Sequence, residues 1–503
     1  MGQRHVIANN KDTNPNFDAG TMKSNYLLYV DFNSLYPTVM SQFKLPMGDF
    51  AELSKSELIE FQKQDLVQID TIGDIGYYIY CDIAPIRKEV IDKTDSYPLI
   101  LSQKNIQDED ISDYTRNLLD ERDIKLGNNN SKLVAHHCGV ENYLIALPLL
   151  QYLVKTGAEV SKIHTVIKFK QGFFLKEFID QNIKKRAEAT NPFIKNALKL
   201  INNAVYGRTL LNQLNYACEA KLCHDENSTT LLKSFSKPTF RNVDVINSDR
   251  FLVTYNKANV KVSSPIYVGF SILEHAKLYM YRFWYSTIVH TYGKKASFVY
   301  SDTDSFIINI ESPDLIQEIN GPLAPHLDLS NFPSHHPLYS SKCKGQLGKL
   351  KIETAPYFMK EFVALKPKAY SYTTTEHDNL SCNTLKGVPK HIKQNNLNIE
   401  AYKSCLYNNV QKYENIFNLR FCNSDMSLIK TSKLVLSSIE DKRFYFNNLK
   451  SVGYGHYKIR ECVEKRTRED DHGDDPPTKR VYTEGMFISH FNVVSNIYFY
   501  SSN

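Results

Sequence analysis

Tyr300-Ser301-Asp302-Thr303-Asp304-Ser305 lies between two apolar runs, Phe298-Val299 and Phe306-Ile307-Ile308. Short apolar runs flanking a brief polar segment spell a tight β-hairpin, here with two carboxylates at its tip. Side chains two apart in an extended segment point the same way, so both acids are expected to face one metal site. An isolated acid-x-acid pair is common and is usually a surface turn. The adjoining Tyr300 and Ser301 make this one more specific.

A second acid-bearing strand lies far upstream. Tyr26-Leu27-Leu28-Tyr29-Val30 reads as a buried strand and leads into Asp31-Phe32-Asn33-Ser34-Leu35-Tyr36-Pro37. A carboxylate at a strand end, followed by a turn with free backbone N–H groups, can hold a divalent cation and a phosphate together. Between the two acid motifs stands Lys199-Leu200-Ile201-Asn202-Asn203-Ala204-Val205-Tyr206-Gly207. Thr190-Asn191-Pro192 supplies a capping side chain before a first-turn proline, which predicts a helix over 192–206. At helical spacing Lys195, Lys199, Asn203 and Tyr206 share one stripe. Ile194, Ala197, Leu198, Ile201 and Val205 share another, expected to face a core. The polar stripe, with Lys184-Lys185-Arg186 upstream, suits a triphosphate with a base and sugar beside it. The alternative is a merely solvated amphipathic helix. Two acids on neighbouring strands can hold two Mg²⁺ roughly 4 Å apart, which with a phosphate-binding helix describes nucleotidyl transfer.

The rest of the chain frames these motifs. Its 503 residues correspond to about three domains. Apolar residues at 42% and charged residues at 23% are ordinary for a globular protein and exclude a disordered chain. The net charge of +6 is uninformative as a total. Residues 161–208, however, hold ten Lys/Arg against three Asp/Glu, and residues 341–370 hold seven against two. The two blocks carry +7 and +5, which leaves 6 − 7 − 5 = −6 elsewhere. Basic blocks on an acidic body suit a protein that grips a polyanion at chosen places. The nine scattered cysteines lack any C-x-x-C pair and fit free thiols. His136-His137-Cys138 and Cys218…Cys223-His224 match no common zinc spacing. No apolar run is long enough for a transmembrane helix, and the polar start does not read as a signal peptide. Residues 141–155 read as a helix and 222–250 as polar loop. Asn128-Asn129-Asn130 marks another loop. Pro265 opens a helix running to about His290, residues 320–345 form a connector, and the charged 464–480 reads as disordered. Strands and helices without βαβ alternation predict an α+β fold.

Taken together the motifs resemble a known family. DFNSLYP, KLINNAVYG and YSDTDS are similar to motifs A, B and C of family B DNA polymerases, and Lys368-Ala369-Tyr370 to that family's K-x-Y motif. The stretches KFKQGFFLKEFIDQNIKKRAEATNPFIKNALKLINNAVYG and PIYVGFSILEHAKLYMYRF resemble the protein-primed branch, more narrowly the polymerases of Polinton/Maverick transposons and related viral and linear-plasmid elements. The likeness runs from about residue 26 to residue 460. It implies a right-hand polymerase fold: palm at 1–60 and 263–365, fingers at 161–208, and thumb at 366–460. Insertions resembling the two terminal-protein regions would occupy 61–160 and 209–262, with a charged tail at 461–503. Only 30 residues precede Asp31, so the family's proofreading exonuclease is expected to be absent.

The resemblance also implies roles. Asp31 and Asp304, with the backbone of Phe32, would hold two Mg²⁺, Mn²⁺ being the alternative, and Asp302 would be an auxiliary acid near the primer end. Backbone N–H groups from Phe32 through Ser34 and Leu35 to Tyr36 would meet the phosphates, and the Tyr36 ring would exclude a ribose 2′-hydroxyl. Lys199, Lys195 and Arg186 or Lys185 would bind the triphosphate, while Asn203 and Tyr206 line the nascent base pair. Gly207, Tyr300, Thr303, Lys368 and Tyr370 would contact DNA. Motif B ordinarily has Ser where Ala204 stands, a change expected to tune geometry. The implied partners are primer-template DNA, dNTPs and a terminal protein as an alternative primer, with no membrane. The implied compartment is the nucleus, a virus or mobile element, or an organelle. A D-x-D glycosyltransferase would leave the lysine helix unexplained, and a reverse transcriptase would place adjacent aspartates in its hairpin. The competing reading is a catalytically inactive, truncated polymerase-like DNA-binding remnant.

Overall fold

The computed structural model describes residues 4–106, 110–121, 131–216, 218–224, 229–376, 381–422, 425–440, 442–447 and 449–459. The tail at 461–503 and the loop signal at Asn128-Asn129-Asn130 lie outside them. Helices and antiparallel sheets mix without parallel crossovers, which is the expected α+β class. The chain divides into two compact units, residues 1–47 with 171–440 and residues 48–170 with 441–503. The stretch 366–460 is thereby shared between them. Among the described residues no helix is long and apolar enough to cross a membrane.

The first unit is built on an eight-stranded sheet. Its main path runs Ala296–Asp302, Ser305–Ile310, Tyr26–Phe32, Met359–Lys366, Ala369–Thr374, Ser381–Leu385, all antiparallel. His5–Ile7 pairs with Met359–Lys366, and Leu350–Ile352 pairs with the far side of Tyr26–Phe32. Tyr26–Phe32 alternates as a strand must. Val30 and Phe32 point to one face, where Phe32 meets Tyr279 at 5.4 Å and Phe283 at 5.7 Å. Those rings come from helix Ile266–Tyr281 and its π-helical continuation Arg282–Val289. Trp284, 2% exposed, closes this core against Phe298 and Phe306. Tyr29 and Asp31 point to the other face.

Three expectations from the sequence hold here: the strand at 26–30, the hairpin at 298–310 and the helix starting at Pro192. The last is Pro192–Thr209, capped by the Asn191 side chain, which accepts from Phe193 N at 2.8 Å. Residues 222–250 differ from the expected loop. Cys218–His224, Phe240–Asn247 and Arg250–Asn256 form an antiparallel three-stranded sheet. Phe251, Val253 and Tyr255 alternate inward onto Cys223 and Leu231, so few apolar residues suffice to hold it.

The second unit holds a four-stranded sheet in the order Leu45–Glu52, Val160–Gly172, Ile75–Ile83, Val140–Ala146. The helix expected over 141–155 is therefore a strand up to Ala146 and a helix only from Leu147 to Thr156. Tyr143 and Ile145 are buried with a period of two against Ile75–Ile83, and Pro148 can open a helix but not continue one. Residues 443–459 pack in this unit, with Phe444, Tyr454 and Ile459 joining Ile106, Ile111 and Val134. His136 and His137 bond to Ser102 at 2.7 Å and Thr94 at 3.0 Å, as ordinary buried polar groups do.

Candidate active site

The register of the sheet assembles the acids. Asp302 is opposite Ser305, Ser305 is opposite Asp31, and Asp31 is opposite Lys351. Residues paired across antiparallel strands share a face, so these four form one row. Asp304 sits in the turn that closes the hairpin, and its carbonyl accepts from Phe32 N at 2.9 Å. The two acid-bearing segments, 273 positions apart, are thus locked to each other by the backbone.

The hairpin tip departs from one expectation. Asp302 and Asp304 do not share a direction, because the tip is not extended. Thr303 takes φ +62°, and Asp304 N donates to Asp302 O at 2.7 Å. Asp302 is held by Lys368, whose Nζ lies 2.6 Å from Oδ2. Asp304 instead acts electrostatically on Asp31. Burial first, then the Asp304 and Glu353 charges, push the Asp31 carboxyl up to about 7, against the opposing pull of Lys199. Burial likewise raises Asp304, with Lys199 again opposing. Two carboxylates that resist ionisation together form a place for cation charge.

Among the described residues no three His, Cys, Asp or Glu side chains converge closely enough to hold a metal by themselves. A pair of carboxylates is nevertheless the protein donor set that suits Mg²⁺, which keeps waters and takes substrate phosphates for its remaining positions. Asp31 and Asp304 fit that requirement. Phe32 can contribute only backbone, since its side chain is 2% exposed within the aromatic core.

The turn after Asp31 is built for close approach. Ser34 adopts φ +56° and precedes helix Leu35–Gln42 without capping it through its side chain. Leu35 and Tyr36 are first-turn residues whose N–H groups lack intrahelical acceptors. The expected use of every N–H from Phe32 onward is narrower than supposed. Phe32 N is engaged by Asp304, and Asn33 N by Lys349 O at 2.7 Å. Leu35 is 2% exposed, so only its backbone can meet a ligand. The Tyr36 ring stacks on Tyr206, with centroids 4.0 Å apart and planes 20° apart. Their hydroxyls share a hydrogen bond, and burial raises both phenols.

Tyr206 belongs to the lysine helix, which the structure orients differently from its apolar pattern. Ile194 and Ile201, expected in a core, are 47% and 45% exposed, and Leu200 is 70% exposed. The buried positions are Asn202 at 2% and Thr209 at 7%. Asn202 accepts from Asn182 Nδ2 at 2.9 Å, tying the helix to Lys176–Glu188. Gly269 lets the helix Ile266–Tyr281 approach so closely that a Cβ would strike Thr209 and Leu210. Polar and small groups thus set the packing, and Lys195, Lys199, Asn203 and Gly207 stay exposed while Arg186 is half-buried.

The expected DNA contacts divide. Thr303 is exposed. Tyr300 and Tyr370 are 2% and 6% exposed, with rings 4.9 Å apart, so neither offers a surface to DNA. They are supports: Tyr300 OH accepts from Lys368 N at 2.9 Å, and the Tyr370 and Tyr29 hydroxyls lie 3.1 Å apart. Sequence reasoning missed Glu353, Asn182 and Asp328. Glu353 follows strand Leu350–Ile352 two positions after Lys351, on the Asp31 face, a signal that strand alternation could have supplied. Asp328 and Asn182 carry no local signal.

The acid row, the helix-opening turn and the lysine helix agree with the family comparison. The profile of type B DNA polymerases, organellar and viral, matches residues 14–288, and the chain belongs to that family. Among solved structures it is similar to Phi29 DNA polymerase in an orthorhombic crystal form, at 15% identity and a TM-score of 0.47, covering 83% of this chain and 60% of that one. It is also similar to Phi29 DNA polymerase complexed with primer-template DNA and incoming nucleotide substrates, at 16% identity and a TM-score of 0.45, covering 87% and 61%. The chain thus spans about 60% of the length of these polymerases. No curated protein matches it.

Proposed function

We propose that this chain is a DNA-directed DNA polymerase that adds dNTPs to a DNA 3′-hydroxyl or a protein primer, in replication of a transposon, virus or linear plasmid. The observation that carries the reading is the row Asp302–Ser305–Asp31 with Asp304 at its end and the Lys199 charge acting on both Asp31 and Asp304. When bound to Asp31 and Asp304, two Mg²⁺ lower the pKa of the primer hydroxyl and neutralise charge on the leaving pyrophosphate. Lys199, Lys195 and Arg186 bind the triphosphate, and the N–H groups of Leu35 and Tyr36 orient it. Tyr36, held flat by Tyr206, meets the sugar and excludes a 2′-hydroxyl. Lys368 neutralises Asp302, which leaves Asp31 and Asp304 as the acids that lack a lysine partner of their own.

The motifs favour the protein-primed branch of Polinton/Maverick type, with a terminal protein as primer and the compartment of the replicating element. Residues 1–60 and 263–365 serve as palm, 161–208 as fingers and 366–460 as thumb. The test measures primer-template affinity and dNTP incorporation on the same full-length protein with Mg²⁺. Templated incorporation supports the reading. Salt-steep binding without turnover identifies a DNA-binding remnant instead.

A further inference from the structure

Asp328 is an acid that the chemistry above does not use, and it is fully buried at 0% exposure. It lies in the connector after the hairpin, where its own N–H donates to Leu350 O at 2.7 Å. Its carboxylate accepts from Ser330 N at 3.0 Å and Gly345 N at 2.8 Å. The remaining bond crosses 295 positions of chain: Asn33 Nδ2 donates to Asp328 Oδ2 at 2.8 Å. Asn33 is held twice more by the same connector, through Gln346 O at 3.2 Å and Lys349 O at 2.7 Å.

Asn33 stands between the acid Asp31 and Ser34, whose φ of +56° is costly for a residue with a side chain. Such a conformation persists only when its surroundings over-determine it. Ser34 makes no side-chain cap bond, so the restraint comes through its neighbour. Asp328 also draws Lys351, whose Nζ lies 3.9 Å from Oδ2. Lys351 is the strand partner of Asp31, so its ammonium is turned toward the connector and away from the metal-site acid.

We infer that Asp328 is a positioning residue that acts through Asn33 to hold the turn Asn33–Tyr36 in the conformation that receives the nucleotide triphosphate. The inference rests on the polymerase reading of that turn. A buried carboxylate with three amide donors is a rigid anchor, because every bond is charge-assisted. Loss of the Asn33 bond frees the turn while the sheet stays intact.

Asn33→Ala, Asp328→Ala and the double variant test it, with primer extension on a DNA primer-template and hydrogen exchange at residues 33–38. Each single substitution is expected to raise the dNTP KM about tenfold, with kcat and primer-template affinity nearly unchanged. The double variant is expected to be no worse than the singles, since both remove one bond. Exchange at the Leu35–Thr38 amides quickens in all three. Asn33→Ala leaves the other Asp328 bonds in place, so it stays informative if Asp328→Ala fails to fold. Additive effects, or an unchanged KM and unchanged exchange in Asn33→Ala, overturn the inference. Absence of dNTP incorporation by the unmutated protein overturns the polymerase reading instead, and the exchange rates still decide whether the clamp exists.

Discussion

The acid sheet and the lysine helix share one site but are built by opposite rules. In the sheet, Asp31 and Asp304 are fixed by backbone pairing and pressed into partial burial, at a cost visible in their raised pKa values. In the helix Pro192–Thr209 the lysines stand in solvent, and only Asn202 and Thr209 are buried. The negative half is preorganised and strained, while the positive half is exposed and unstrained. A site that must gather metal and triphosphate gains from this division. Rigid acids define where charge is missing, and mobile ammonium groups meet the incoming phosphates.

The largest effect that can sharpen the comparison lies at the point where the halves meet. Lys199→Ala is expected to raise the dNTP KM by roughly 10–100-fold, the worth of one hydrogen bond to a charged group, while Lys195→Ala, which Asp31 and Asp304 do not sense, does less. Steady-state primer extension reads both. Next comes the packing of the helix. Asn202→Ala leaves the Asn182 amide buried without its acceptor and should cost about 1–3 kcal/mol in chemical denaturation.

Smaller again is the pH response of the acid half. A carboxyl raised to about 7 contributes stability that is complete below the ordinary aspartate range and is lost as pH rises through about 7. Without metal, the melting temperature should therefore carry a downward component over that range, and Asp31→Asn should remove it. Mg²⁺ should raise the melting temperature more at pH 8 than at pH 5. An equal Mg²⁺ shift at both would break the idea that Asp31 is strained by missing cation charge. The smallest effect concerns the exposed stripe. Leu200→Ser should change stability by no more than about 0.5 kcal/mol, whereas a core leucine would cost several times that.

Local pattern made part of this legible. The hairpin was readable because apolar runs of strand period flank a two-residue turn, and helix Pro192–Thr209 because Asn191-Pro192 is a start signal with a mechanism. The orientation of each element was not. Thr303 at positive φ separates Asp302 from Asp304, and nothing in D-T-D announces it. The lysine helix buries an asparagine in place of its isoleucines because its neighbours offer Asn182 and Gly269, a tertiary choice that overrides periodicity. Residues 141–146 were misassigned because a short apolar run reads equally as strand or helix until its partner strand is known. Asp328 and Asn33 meet across 295 positions, beyond any local signal.

The most direct test replaces Asp304 with alanine and follows Mg²⁺-dependent dNTP incorporation on a primed template alongside primer-template binding. The account predicts that the unmutated chain extends the primer, and that Asp304→Ala loses about 1000-fold or more in rate while binding DNA as before. A folded, DNA-binding Asp304→Ala protein that extends primers at the unmutated rate would contradict it.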